Sequence, residues 1–164
     1  MRLWGKRTFL EADVENWHRD CWLWLNRHLS KPEAHFPSDL ILPTRDYFPP
    51  VEATGHARAE AVLQQVKDLM GLADWPCVLV ERQQVNVRVG EFLTTMPTGP
   101  LAAGTFEVEG GEVYITYDPD LLNRPYNLVT TFAHELAHYV LHTIDELPPG
   151  ADQEPQIEEL ATEL

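Results

Sequence analysis

The chain has 164 residues, 44% hydrophobic and 23% charged, a balance ordinary for a single soluble globular domain large enough to bury a core. With 12 basic residues against 26 acidic ones the formal charge is −14, which leaves no basic surface to displace phosphate counterions and excludes direct nucleic-acid binding from the expectations. No stretch approaches the ~18 apolar residues of a membrane span. The opening MRLWGKRTFLEADVENW carries early basic groups without an apolar h-region, so no secretory signal is read there and a cytoplasmic location is expected.

Residues 11–29 (EADVENWHRDCWLWLNRHL) place Val14, Trp17, Cys21, Trp24 or Leu25, and His28 on one face, which predicts an amphipathic helix. Trp17, Trp22 and Trp24 are expected to pack in the core or between helices, and His18 and His28 to lie at the surface. Cys21 and Cys77 sit in apolar surroundings without CxxC spacing and read as buried free thiols. Residues 31–55 hold five prolines and show no period, so an irregular wrap is expected, docked through Phe36, Leu40, Ile41, Leu42, Tyr47 and Phe48.

A second helix is predicted over 56–69, with Ala59, Val62, Leu63, Val66 and Met70 inward and Gly71 ending it. PCVLVER and the alternating VNVRV read as strands, and 94–104 as a loop. TFEVEGGEVYITYD reads as a hairpin, because Gly110 and Gly111 permit the positive φ that a tight turn requires.

The stretch 126–142, YNLVTTFAHELAHYVLH, contains His134, Glu135 and His138 in the order HExxH. Residues four apart lie above one another on a helix, so the two imidazoles can converge on one ion. Glu135 is turned by about a quarter of the helix circumference, the position of a general base facing water. Val129, Phe132, Ala133, Leu136, Ala137, Val140 and Leu141 make the surroundings apolar. Imidazoles and a carboxylate buried there without partners would cost roughly several kcal/mol, which metal coordination removes.

Two nitrogens do not close a zinc site. Beyond a Pro-, Gly- and acid-rich loop, Ile157, Leu160, Ala161 and Leu164 in QIEELATEL have helical spacing, and a carboxylate from that helix would complete a His, His, Glu set. HELAHYVLH together with the later Glu158 and Ala161 resembles the ImmA/IrrE-type gluzincin metallopeptidases, which pair HELxHxxLH with an ExxA helix. The resemblance covers about the last third of the chain and implies Glu158 as third ligand. Glu159, Asp145 and His142 remain rivals by position, although His142 also suits a helix C-terminal imidazole bonded to a backbone carbonyl.

The expectation is therefore an α+β, zincin-like fold in one domain spanning 1–164, with a small, mainly antiparallel sheet packed against the HExxH helix and further helices. The final helical period reaches Leu164 without a stop, so either a docked end suffices or a longer chain continues it. By resemblance the function is zinc-dependent hydrolysis of a peptide bond in an intracellular regulatory protein, a repressor or antitoxin, with the substrate adding a strand beside 105–109 or 113–117. Zinc would be held by His134, His138 and Glu158, and Glu135 would move the proton. Tyr114, Tyr117, Tyr126 and Tyr139 are the oxyanion candidates, and Asp118, Asp120 and Asp145 the candidate acceptors for imidazole N–H groups. The competing expectations are a zinc-bound regulatory domain without turnover, and a fold in which HExxH is accidental.

Overall fold

The computed structural model describes residues 11–29, 41–82, 86–89, 92–95 and 103–151. Phe36, Leu40, Glu158, Glu159 and the expected last helix lie outside them. The fold is α+β, in the order α1 (Ala12–Leu29), α2 (Gly55–Leu69), β1 (Val78–Glu81), β2 (Asn86–Val89), β3 (Phe92–Thr95), β4 (Gly104–Glu109), β5 (Glu112–Tyr117), a 3₁₀ turn (Pro119–Asn123) and α3 (Pro125–His142). The chain divides into two compact units, 1–39 with 141–164, and 40–140. No helix among the described residues is long and apolar enough to cross a membrane.

In the larger unit the strands form a three-stranded sheet ordered β1-β5-β4 and a separate β2-β3 pair. The expected antiparallel hairpin holds for β4–β5, and β2 pairs antiparallel with a strand the sequence did not suggest, β3, but the three-stranded sheet is mixed because β1 joins β5 in parallel, Leu79 opposite Ile115. β1 and β5 are not consecutive: β2, β3 and β4 intervene, and the chain returns running in its original direction. The β4–β5 turn is the one expected, with Gly110 at φ 61° and Gly111 at φ 87°, a conformation that L side chains rarely adopt.

Alternation along β5 sets the two faces of the sheet. Val113, Ile115 and Tyr117 are buried, whereas Tyr114 and Thr116 on the other face are half-exposed. The buried face contributes Ile115 and Tyr117 to a core with Ala59, Val62, Leu63 and Val66 of α2 and Leu128, Val129, Phe132 and Leu136 of α3. Each fully buried large side chain here contributes about 1.5–3 kcal/mol by leaving water. α2 ends as the sequence suggests, with Gly71 in the left-handed region just past it, φ 71°. Met70, expected inward, is exposed instead, and the buried position in that turn belongs to Lys67. The described part of the proline-rich segment, 41–54, is irregular as expected, with one turn closed by Phe48 N–H donating to the Thr44 carbonyl.

In the smaller unit α1 buries Cys21 and Trp24, and Trp24 packs with Leu25, Leu141 and Ile144. The Trp17 indole N–H donates to the Pro149 carbonyl at 2.8 Å. Trp22 departs from expectation: it is 57% exposed, because it lies on the side of the helix away from Cys21 and Trp24. His28 is half-buried beside the Trp24 ring, where a surface residue was expected. Both cysteines are free, and burial raises the pKa of each thiol.

Candidate metal centre

α3 begins with Pro125, whose missing N–H is no loss at the first helical position. Its buried residues Leu128, Val129, Thr131, Phe132, Glu135 and Leu136 recur at helical spacing, so one stripe faces the core and a neighbouring face carries the two histidines. His134 and His138 are both half-buried. Their Nε2 atoms stand 3.2 Å apart, with the ring planes at 88° and the ring centres 4.7 Å apart. Two such nitrogens can share a proton, or both can present lone pairs to one cation. Glu135, between them in sequence, is 5% exposed.

β4 supplies the neighbours of this face. The Phe106 ring is nearly parallel to His138, at 12° with centroids 6.3 Å apart, and lies 5.8 Å from the Tyr139 ring. Two residues earlier Gly104 opens the strand, and a Cβ built there would stand 3.0 Å from Glu135 Oε1. The sequence singles out neither residue, placing Phe106 only within the strand 105–109 beside which substrate is expected to add. Alternation along TFEVE would have placed Phe106 on the inner face, but nothing local reveals what Gly104 opposes.

Three of the four tyrosine candidates use their hydroxyls elsewhere. Tyr117 is fully buried; it donates to Glu81 Oε2 at 3.3 Å, and His56 Nδ1 lies 3.1 Å from the same hydroxyl. Burial first, then the Glu81 carboxylate, pushes its pKa up to about 12. Tyr139 donates to the Pro76 carbonyl at 3.0 Å, and burial raises its pKa. Tyr114 donates to Glu112 at 2.8 Å on the outer face of the sheet, and that hydrogen bond raises its pKa. Tyr126 is exposed in the first turn of α3, about 12 Å along the axis from His134.

Of the aspartates, Asp118 caps the 3₁₀ turn by accepting the Asp120 N–H at 2.9 Å, while Asp120 and Asp145 are exposed. His142 is the exposed last residue of α3. The described residues thus bring together two of the expected ligands, His134 and His138, with Glu135 on the same helix; Glu158 and its rival Glu159 lie outside them. Among the described residues no three His, Cys, Asp or Glu side chains form a group that could hold a metal ion. Compared with protein-family models, with curated proteins and with solved structures, the chain gives no match.

Proposed function

We propose that the chain is a zinc-dependent metallopeptidase of zincin-like fold, resembling the ImmA/IrrE type, that hydrolyses a peptide bond in an intracellular regulatory protein. The observation that carries this is the 3.2 Å between the Nε2 atoms of His134 and His138. Nitrogens bound at about 2.0–2.1 Å to one tetrahedral ion stand about 3.3 Å apart, so the pair is spaced to share zinc. His134 and His138 would hold the ion with Glu158 as third ligand, leaving one position open. Zinc, when bound, supplies a Lewis acid that polarises a carbonyl and lowers the pKa of water towards about 7.

The chain's own groups do the rest. Glu135, nearly buried on α3, takes the proton of the attacking water and passes it to the leaving amine. Among the described residues β4 is an edge of the three-stranded sheet, so an extended peptide can add to it as a further strand, main chain to main chain. Phe106 on that strand braces the His138 ring. An intact Glu135 favours turnover over a purely structural zinc domain.

The test is metal analysis of the purified protein with His134→Ala, Glu135→Gln and Glu158→Gln variants, alongside hydrolysis of a mixed library of internally quenched peptides. Wild type should hold one zinc per chain. His134→Ala and Glu158→Gln should lose it, and Glu135→Gln should keep it while hydrolysis falls by about 10²–10⁴-fold. A metal-free wild type, or equal metal in wild type and His134→Ala, sinks the proposal.

A further inference from the structure

β4 opens with a residue that has no side chain, and the space one would occupy is already taken. A Cβ at Gly104 would come to 2.7 Å from Thr131 Cγ2, 2.8 Å from the Thr116 carbonyl oxygen and 3.0 Å from Glu135 Oε1. The backbone is not the reason: among the described residues the glycines with positive φ are Gly55, Gly71, Gly110, Gly111 and Gly150, so Gly104 has a conformation open to other residues. Its neighbours exclude the side chain. The Thr116 carbonyl belongs to β5, whose register with β4 pairs Thr105 with Thr116, and Thr131 is buried on α3. Only the Glu135 carboxylate, at the end of a flexible arm, can swing aside.

Gly104 and Phe106 lie on the same face of β4. The strand therefore meets α3 at two successive levels, backbone against the Glu135 carboxylate and ring against the His138 imidazole. We infer that Gly104 is a positioning residue for Glu135: the bare backbone at the start of β4 lets the carboxylate lie against the strand and fixes where it stands. This rests on Glu135 as the general base of the proposed reaction. Proton transfer tolerates little misplacement, and an error of about 1 Å at a reacting group costs about 10²-fold in rate.

The experiment compares wild type with Gly104→Ala, Gly104→Ala/Thr131→Ser, Glu135→Ala and Gly104→Ala/Glu135→Ala. Folded Gly104→Ala should keep the wild-type metal content and KM within about threefold on the quenched-peptide library, while kcat falls roughly 10–100-fold. Thr131→Ser, which removes the methyl at 2.7 Å, should restore part of kcat. Thermal melts need no turnover: the Tm loss caused by Gly104→Ala should be smaller in the Glu135→Ala background, which removes one of the three contacts, while those with Thr131 and the Thr116 carbonyl remain. If Gly104→Ala alone is unfolded, the kcat comparison is made with Gly104→Ala/Thr131→Ser, which relieves the tightest contact and must fold with a lowered kcat. Unchanged kcat, equal Tm losses in both backgrounds, or an unfolded Gly104→Ala/Thr131→Ser variant overturns this inference while leaving the metallopeptidase proposal standing. A wild type without metal or hydrolysis overturns that proposal and the catalytic half of this one.

Discussion

Tyr117 makes the stability of this protein depend on alkaline pH in a calculable way. Its side chain is fully buried, and its hydroxyl bridges Glu81 at 3.3 Å and His56 at 3.1 Å. The pKa rises from 10 to about 12, first through burial and then through the Glu81 charge. A tyrosine becomes charged on losing its proton, so a raised folded-state pKa means that folding favours the neutral phenol. That contribution is whole below the unfolded value of about 10 and is lost as pH climbs from there through about 12. A tenfold change in proton affinity is about 1.4 kcal/mol, so this one group should remove a little over about 1 kcal/mol by pH 11 and a little over about 2 kcal/mol by pH 12. Tyr117→Phe abolishes the effect and costs about 1 kcal/mol at neutral pH in lost hydrogen bonds, because Glu81 and His56 are exposed enough to turn to water. The two stabilities should therefore cross a little below about pH 11. Urea denaturation followed by far-ultraviolet circular dichroism, from about pH 8 to about pH 11.5, measures both curves. Tyr114 and Tyr139, whose pKa values are also raised, are present in both proteins and cancel in the difference. Parallel curves that never converge would refute the reasoning.

Phe132→Ala, which empties a fully buried position between α3 and the sheet, should cost about 3–5 kcal/mol in the same assay. A loss under about 1 kcal/mol would mean that Phe132 is not part of a packed core. Phe106→Ala removes the ring braced on His138, an aromatic contact of about 0.5–1.5 kcal/mol. Zinc dissociation, measured by competition with a chelating dye, should quicken about 2–10-fold while the fold persists, and an unchanged rate would show the stacking to be incidental.

The helices were legible because their apolar positions repeat at the helical period over long stretches. Ala59, Val62, Leu63 and Val66 are buried as read, and α3 covers HExxH with one more residue at its start. The β4–β5 hairpin was legible from Gly110 and Gly111, whose backbone angles are the ones a tight turn demands. β3 is not among the strands that the sequence suggests: 94–104 reads as loop, and Thr94 and Thr95, the end of β3, fall inside it. The parallel entry of β1 was beyond local inspection, since strand direction depends on a partner far along the chain. Trp22 was misplaced because three tryptophans in one helix cannot all face inward, and composition alone does not say which one yields. At the site, the spacing of His134 and His138 on one helix was enough to bring their nitrogens together. Gly104 could not be foreseen, because its meaning lies in what α3 places opposite it.

The parallel pairing of Leu79 with Ile115 also bears on how the molecule assembles. The β4–β5 ribbon joins neighbours through two glycines and can form early, whereas β1 must wait until the whole chain between Glu81 and Glu112 has been drawn into a loop. Until then one side of β5 offers unpaired amides and carbonyls beside Ile115 and Tyr117, a surface open to another nascent chain. Refolding yield should accordingly fall with protein concentration more steeply than native stability would suggest.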